Sequence, residues 1–301
     1  MLLSIALVAL TFLAVMLVSG NNLSACVGPA VGSRIITKRF GMFLGAAGFA
    51  VGLLAQGSAM AQSVGVLFPE ASAVLRLEAL LVSILVFVVA SVMRVPMSLN
   101  MSLVGLLAGF SVAGNAGLSG NYMLLVSFTW VFAPVAAFVF AYFLIRSLTR
   151  SWPRNFWRRL QAYKVLLIVL SFTSAYVLGA NTLGLIVATG GFDAFTVLAA
   201  VGGIFAGSFL LGEGAISRIS EEFFSMRYAN AEATLIASTI LVEAATIFNI
   251  PLSNTQTTTA AVFGTGFAYK TRFVSLKPFL IILLGWVAAP LLSFLVGLLL
   301  G

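Results

Sequence analysis

Long uncharged stretches alternate with short charged clusters along this chain. Residues 1–33, 40–69, 95–145, 165–192, 194–212, 244–269 and 278–301 carry no Asp, Glu, Lys or Arg. A helix that crosses a bilayer needs about 20 predominantly apolar residues. Dividing the runs at Gly, Pro and polar clusters predicts ten spans, over roughly 2–33, 40–57, 75–93, 96–113, 121–145, 165–189, 195–212, 231–249, 251–269 and 278–300. The first is too long for one straight helix. The fold class expected is an all-α polytopic membrane protein.

Composition narrows the chemistry. Charged residues are 8% of the 301, too few to coat a soluble domain of this size. The absence of His excludes imidazole metal sites, His-based triads and His proton shuttles. A single cysteine, Cys26, makes neither an intrachain disulfide nor a thiolate cage, and is expected to be a small packing residue. No metal site is expected.

The net charge of +8 reads as a topology signal. With the N-terminus outside, the inside loops hold Arg34, Lys38, Arg39, Arg94, Arg146, Arg150, Arg154, Arg158, Arg159, Lys164, Arg218, Arg227, Lys270, Arg272 and Lys277. Only Arg76 falls outside, near Glu70 and Glu78. The expectation is therefore a multi-pass protein of the cell membrane with both termini outside and its central basic connection cytoplasmic. No nucleic-acid partner is expected, because the basic residues sit in short loops between apolar runs rather than on one soluble face. The first apolar run lacks a basic leader and is expected to remain as a span. Residues 146–164, with Trp152, Trp157 and spaced arginines, read either as an amphipathic segment on the inner surface or as an ordinary basic loop.

The chain also repeats itself. Trp130-Val-Phe-Ala-Pro134 matches Trp286-Val-Ala-Ala-Pro290 at an offset of 156, and Pro96-Met-Ser98 matches Pro251-Leu-Ser253 at 155. Gly109 and Gly264 share the latter offset; Leu53-Leu-Ala-Gln-Gly57 matches Leu210-Leu-Gly-Glu-Gly214 at 157, and Asn21 matches Asn181 at 160. Each half contains five predicted spans. An odd number makes the second half enter the membrane from the opposite side, giving two inverted five-span repeats, a plan common among secondary transporters. The expected units are a first repeat over 1–145, the connection over 146–164 and the inverted repeat over 165–301.

Polar residues inside apolar spans are costly and usually functional. Here they form two pairs of clusters. The first pair is Gly20-Asn21-Asn22-Leu23-Ser24 and Gly179-Ala180-Asn181-Thr182. Each sits about 20 residues into a long apolar run and reads as a break in the span, with a half-helix starting near Asn22 or Thr182. The alternative is a turn between two ordinary helices. The second pair is Pro96-Met-Ser98-Leu-Asn100-Met-Ser102 and Pro251-Leu-Ser253-Asn254-Thr255-Gln256-Thr257-Thr258-Thr259. Pro suits the first turn of a helix, so these segments are expected to start helices within the membrane. The run from Ser253 to Thr259 would line a cavity or a helix–helix seam. Four helix starts could direct four positive dipole ends at one point. With Asn, Ser and Thr donors, that describes an anion site without Arg or Lys, better matched to a small oxyanion than to a large organic molecule.

At these residues the chain resembles the inorganic phosphate transporter (PiT) family. The family's duplicated Gly-Ala-Asn-Asp-Val-Ala-Asn motif is similar to Ser19-Gly-Asn-Asn-Leu-Ser-Ala25 and to Gly179-Ala-Asn-Thr-Leu-Gly-Leu185. Its Pro-Val-Ser-Thr-Thr-His-Thr segment is similar to Pro96–Ser102 and Pro251–Thr257. The resemblance covers nearly the whole chain except the central loop. It implies secondary transport of phosphate coupled to Na⁺ or H⁺, with a branch that carries sulfate, and no cofactor beyond the coupling ion. The departures are specific: both family Asp positions are lost, to Asn22 and Thr182, the closing Asn of each motif becomes Ala25 and Leu185, and the family His is Met101 in one half and Gln256 in the other. A hard cation prefers carboxylate oxygens, so these losses weigh against Na⁺ coupling.

Charge also bears on the substrate. Phosphate near neutral pH carries protons and suits a carboxylate acceptor, whereas sulfate only accepts and suits donors such as Asn22, Thr182 and Gln256. The substrate-binding residues expected are Asn21, Asn22, Ser24, Ser98, Asn100, Ser102, Asn181, Thr182, Ser253, Asn254, Thr255, Gln256 and Thr257, with inorganic phosphate or sulfate as the ligand, the lipid bilayer as the surroundings and a homodimer left open. Glu243, the only carboxylate well inside a predicted span, is the coupling candidate; a structural, hydrogen-bonded Glu is its other reading. Glu213 is expected at the inner interface beside Arg218. An anion channel is the reading from another class; its signature would be a ring of like charges or one filter loop repeated around an axis, and the inverted repeat argues against it. An intramembrane enzyme would need a nucleophile with a base, and with no His and no base adjacent to Cys26 no catalytic residue is expected.

Overall fold

The computed structural model describes residues 2–69, 72–92, 98–114, 119–150, 156–214, 228–269 and 276–300. These form α1 (Leu2–Gly32), α2 (Lys38–Gln56), α3 (Met60–Leu67), α4 (Ala73–Val92), α5 (Leu99–Ala113), α6 (Gly120–Arg150), α7 (Phe156–Leu178), α8 (Gly184–Gly190), α9 (Ala194–Leu210), α10 (Tyr228–Ile247), α11 (Asn254–Tyr269) and α12 (Leu276–Leu300). No strand occurs among the described residues. Each of the ten predicted segments coincides with a helix, the sixth being α7 and α8 joined by a single π turn, Gly179–Leu183. Helix α3 was not predicted, because no charge separates it from α2 in the uncharged run 40–69. Among the described residues, five helical stretches are long and apolar enough to cross a membrane by length and composition: Leu2–Gly32, Lys38–Leu67, Gly120–Leu148, Leu160–Gly190 and Leu283–Leu300.

The distribution of side chains inverts that of a soluble protein. Val131, Leu198 and Leu210 are 70% exposed or more. Meanwhile Asn100, Asn181, Glu232 and Gln256 are buried. Contiguous apolar surface on this scale requires a covering medium, and a helix satisfies its own backbone in lipid.

Two expectations are corrected. No break occurs near Asn22: α1 runs without interruption from Leu2 to Gly32, with Pro29 inside it. Its polar residues are satisfied within and beside the helix instead. Ser24 Oγ donates to the Asn21 carbonyl at 2.9 Å, and the Asn22 side chain turns sideways to α11. At Thr182 the chain widens into a π turn without leaving the helical path. The connection over 146–164 is likewise mostly helix: α6 continues to Arg150 and α7 begins at Phe156. Residues 151–155, with Trp152 and Arg154, lie outside the described residues, as do Pro96, Met97 and residues 215–227, with Arg218 and Arg227.

Helices before and after the 146–164 connection pack on each other: α1 with α9, α2 with α7, α5 with α12, and α6 with α11. Glycines set the approach. A Cβ on Gly52 of α2 would collide with the Tyr176 carbonyl of α7, and one on Gly207 of α9 with the Met16 carbonyl of α1. One turn away, a Cβ on Gly48 would lie 2.8 Å from the Phe172 carbonyl and one on Gly203 2.7 Å from the Phe12 carbonyl. Gly109 of α5 meets the Phe294 carbonyl of α12, and Gly264 of α11 meets the Phe138 carbonyl of α6. Small residues permit such backbone approach between apolar helices, where dispersion rather than water exclusion holds them.

Candidate functional site

The site is organised around the short connection between α10 and α11. Helix α10 ends in a Schellman motif: Ile250 N–H donates to the Ala245 carbonyl at 2.8 Å and Asn249 N–H to the Thr246 carbonyl at 3.0 Å. Asn249 has φ of 56°, the left-handed conformation that Asn tolerates after Gly. The following residues are buried and non-helical, so their backbone groups need partners from elsewhere. Ser63 of α3 and Tyr122 of α6 both donate hydroxyl bonds to the Asn249 carbonyl, the latter at 2.6 Å. The Trp130 indole N–H donates to the Pro251 carbonyl at 2.8 Å. Asn181 serves two groups: its Nδ2 donates to the Ile250 carbonyl at 2.9 Å, and its Oδ1 accepts from Leu252 N–H at 3.0 Å.

These bonds place the start of α11. Pro251 lies in the connection, not in the first helical turn as expected; Ser253 precedes the helix, and its hydroxyl accepts from Gln256 N–H at 3.4 Å. Ser253, Asn254, Gln256, Thr257 and Thr258 are buried, while Thr255 and Thr259 are half-buried. The polar run therefore faces protein. Helix α5 begins similarly after Ser98. With α1 continuous and only a π turn at Thr182, two helix N-termini point into this region rather than four.

Two polar pairs link the halves. Thr255 of α11 donates to Asn22 Oδ1 of α1 at 3.2 Å, and Asn21 Nδ2 reaches the same oxygen at 3.4 Å. Asn100 of α5 donates to Thr182 Oγ1 at 3.3 Å and to Asn181 Oδ1 at 3.4 Å. Asn100 and Thr255 stand at the 155-residue offset of Pro96 and Pro251, and Asn22 and Thr182 at the 160-residue offset of Asn21 and Asn181.

The amide orientations follow from this network. Asn181 is fixed because one end faces a backbone carbonyl and the other a backbone N–H. With Asn181 Oδ1 toward it, Asn100 must present its NH₂ there. Asn100 Oδ1 is then a buried acceptor with no partner, and Asn254 Oδ1, Gln256 Oε1 and Thr258 Oγ1 are also unpartnered. Asn181, by contrast, is fully used: besides the three bonds above it donates to Thr246 Oγ1 at 3.1 Å. Its geometry is that of a positioning residue.

The other expected residues divide. Asn254 Nδ2 contacts Cys26 Sγ at 3.4 Å, and Cys26 is the buried packing residue foreseen. Thr257 bonds back to the Asn254 carbonyl at 3.0 Å. Ser102 shares a hydroxyl bond of 2.7 Å with Ser293 of α12, away from the Asn pairs. Met101, in the family's His position, packs with Trp130 and Trp286. Glu243 Oε1 accepts from Gln56 Nε2 at 3.2 Å, and Gln56 Oε1 accepts from the Tyr176 hydroxyl at 3.1 Å.

Glu243 is not the only carboxylate inside a helix span. Glu232 of α10 is fully buried and both its oxygens lack partners. Glu232 is the second residue of the predicted span 231–249 and was not among the expected residues. Trp130 and Thr246 were also missed as site-building groups; for Trp130 the repeated Trp-Val…Pro pattern was the available signal. Among the described residues no group of His, Cys, Asp and Glu could hold a metal ion.

Apolar outside and polar at its centre, the molecule is a membrane-embedded all-helical protein. The chain belongs to the Phosphate transporter family, whose profile matches residues 18–187 and again 153–297. It is a transporter rather than an enzyme, as the motifs implied. One relative, a Methanocaldococcus jannaschii protein whose name assigns it to the phosphate permeases, is 26% identical over 294 residues, covering 96% of this chain and 93% of its own. Another, the sulfate permease CysP of Bacillus subtilis, is 27% identical over 301 residues, covering 94% of this chain and 83% of its own. A solved structure, the sodium-dependent phosphate transporter, shares the fold with a TM-score of 0.86 over 100% of this chain and 99% of that one, at 18% identity.

Proposed function

We propose that this protein is a secondary active transporter of a small tetrahedral inorganic oxyanion, phosphate in the first instance, working by alternating access. The observation that carries the reading is the exchange-related pair of contacts, Asn100–Thr182 and Thr255–Asn22, at the N-termini of α5 and α11. Two inverted five-span repeats, 1–145 and 165–301, account for the paired helices and the recurring glycine–carbonyl approaches. Such a plan supplies two similar end states opening to opposite sides. The distribution of Lys and Arg supports both termini outside and the 146–164 segment in the cytoplasm of a multi-pass cell-membrane protein.

The anion is held by Asn22, Thr255, Asn100, Thr182 and the first-turn N–H groups of α5 and α11, with Asn181 holding α11 in place. Asn100 Oδ1 favours phosphate, because a buried acceptor without a partner matches an oxyanion that still carries a proton. Sulfate is the second reading, favoured by the loss of both motif carboxylates at Asn22 and Thr182. Glu243 is the coupling candidate, with H⁺ preferred over Na⁺ because the site offers amide and hydroxyl oxygens but no carboxylate.

Reconstituted protein should accumulate labelled phosphate, saturably and with counterflow. Excess sulfate should compete weakly. Sulfate uptake unaffected by excess phosphate would move the substrate to sulfate, and non-saturating flux without counterflow would point to a channel.

A further inference from the structure

Helix α10 carries a line of polar side chains that the anion site does not use. At 3.6 residues per turn, positions 232, 239, 243 and 246 fall within about 60° of one another. They form a stripe about 21 Å long at a rise of 1.5 Å per residue. Its upper end is Thr246, which accepts from Asn181 in the central cluster. Next comes Glu243, bonded through one oxygen to Gln56 while its Oε2 is buried and unpartnered. Thr239 Oγ1 is unpartnered too. At the far end is Glu232, with 0% exposure and no partner on either oxygen.

The residues one turn from Glu232 along α10 are Tyr228, Ala229, Leu235 and Ile236. Every residue from Ala229 to Leu235 is buried, and Asn230 Oδ1 and Thr234 Oγ1 in that stretch also lack partners. Ala229 and Ala233 pack in one cluster with Ile145 of α6 and Tyr163 of α7. Among the described residues, the elements against α10 bring few titratable groups to this end. Tyr163 of α7 packs at a tilt against Tyr228, with 5.5 Å between ring centroids. Arg146 of α6 lies 4.6 Å over the Tyr142 ring. Arg158 and Lys164 of α7 are exposed. On α1 the only titratable side chain among the described residues is Cys26, bonded to Asn254. At the upper end Tyr176 of α7 reaches Gln56. A bare carboxylate without a hydrogen bond in such a place is strongly unfavourable, and membrane-embedded carboxylates of this kind mark proton relays.

We propose that Glu232 is a proton-binding site of this protein and that the α10 stripe connects it through Thr239 and Glu243 to the central anion site. Glu232 holds its proton as a neutral acid in this conformation. When the Tyr228 end of α10 opens to water, the O–H bond breaks, the proton passes to a water molecule and the carboxylate is solvated; reprotonation reverses the step. A sodium ion is the poorer occupant, because it wants several oxygen ligands and the helix neighbours of Glu232 are Ala, Leu, Ile and Tyr. The coupling role rests on the transporter reading above, whereas the protonation of Glu232 does not.

The test uses purified wild-type protein and the E232Q, E232D and E243Q variants. Infrared difference spectra across a pH titration should show the C=O stretch of a buried carboxylic acid in wild type and E243Q, and lose it in E232Q. In proteoliposomes, E232Q should lose uptake driven by a pH gradient while retaining counterflow of labelled phosphate or sulfate, and E232D should retain both. An identical acid band in E232Q overturns the site. Gradient-driven uptake at the wild-type rate in E232Q overturns the coupling. A wild type that carries neither anion but keeps the Glu232 band refutes the transport reading while supporting the proton site.

Discussion

Replacing Asn181 by Ala tests whether this residue positions the helix start or holds the anion. The substitution strands two backbone groups in a buried connection, the Ile250 carbonyl and the Leu252 N–H. Its side-chain partners suffer less: Thr246 keeps a bond to the Val242 carbonyl at 2.8 Å, and Asn100 keeps Thr182. Hydrogen bonds between membrane helices average only about 0.6 kcal/mol, because freed groups find other partners. The Ile250 and Leu252 groups have no helix to return to, so the cost of orphaned buried groups applies, about 1–3 kcal/mol each. The expected loss is therefore roughly 2–6 kcal/mol. Cys26 supplies the assay: it is the sole cysteine and buried, so its labelling by a thiol-reactive fluorophore during heating reports unfolding directly. N181A should unfold at a clearly lower temperature. A change below about 0.5 kcal/mol, the range of inconsequential surface substitutions, together with a raised KM for the anion, would refute the positioning role and make Asn181 a ligand.

Two further expectations follow from the packing and the caps. G52A and G207A should destabilise by similar amounts, on the order of 1–3 kcal/mol or more, because each added Cβ meets a backbone carbonyl that cannot rotate away; G65A, with open space around it, is the matched control in the same thermal assay. Asp193, ahead of α9, accepts from the Thr196 hydroxyl at 2.7 Å, from Thr196 N–H at 3.1 Å and from Phe195 N–H at 2.9 Å, and the Thr196 side-chain bond first, then the backbone bonds, holds its carboxyl below the ordinary carboxylate range. A depressed folded value means that its stabilisation is present above the ordinary carboxylate pKa and is lost as pH falls through the folded one, so wild type should lose more of its unfolding midpoint on acidification than D193N.

The helical segments, the family and the polar clusters among apolar runs were legible along the chain. Hydropathy and charge are local, additive properties, and lipid imposes them segment by segment: an apolar run of sufficient length has few options other than a helix. The recurring spacings of Trp130 with Trp286 and of Gly109 with Gly264 are likewise properties of the chain alone. Tertiary structure decided what each polar residue does. Asn21 and Asn22 suggested a broken helix, but α1 packs tightly enough against α9, at Gly20 and Gly207, for the helix to continue and the Asn22 amide to turn toward Thr255. Asn181 and Asn100 look alike in sequence. One is saturated by a backbone connection that ends 71 residues later at Leu252, and the other keeps a free oxygen. Glu232 is the second residue of a predicted span and lies in the interior. Hydrogen-bond saturation and burial are properties of pairs of groups distant in the chain, so no single segment could contain them.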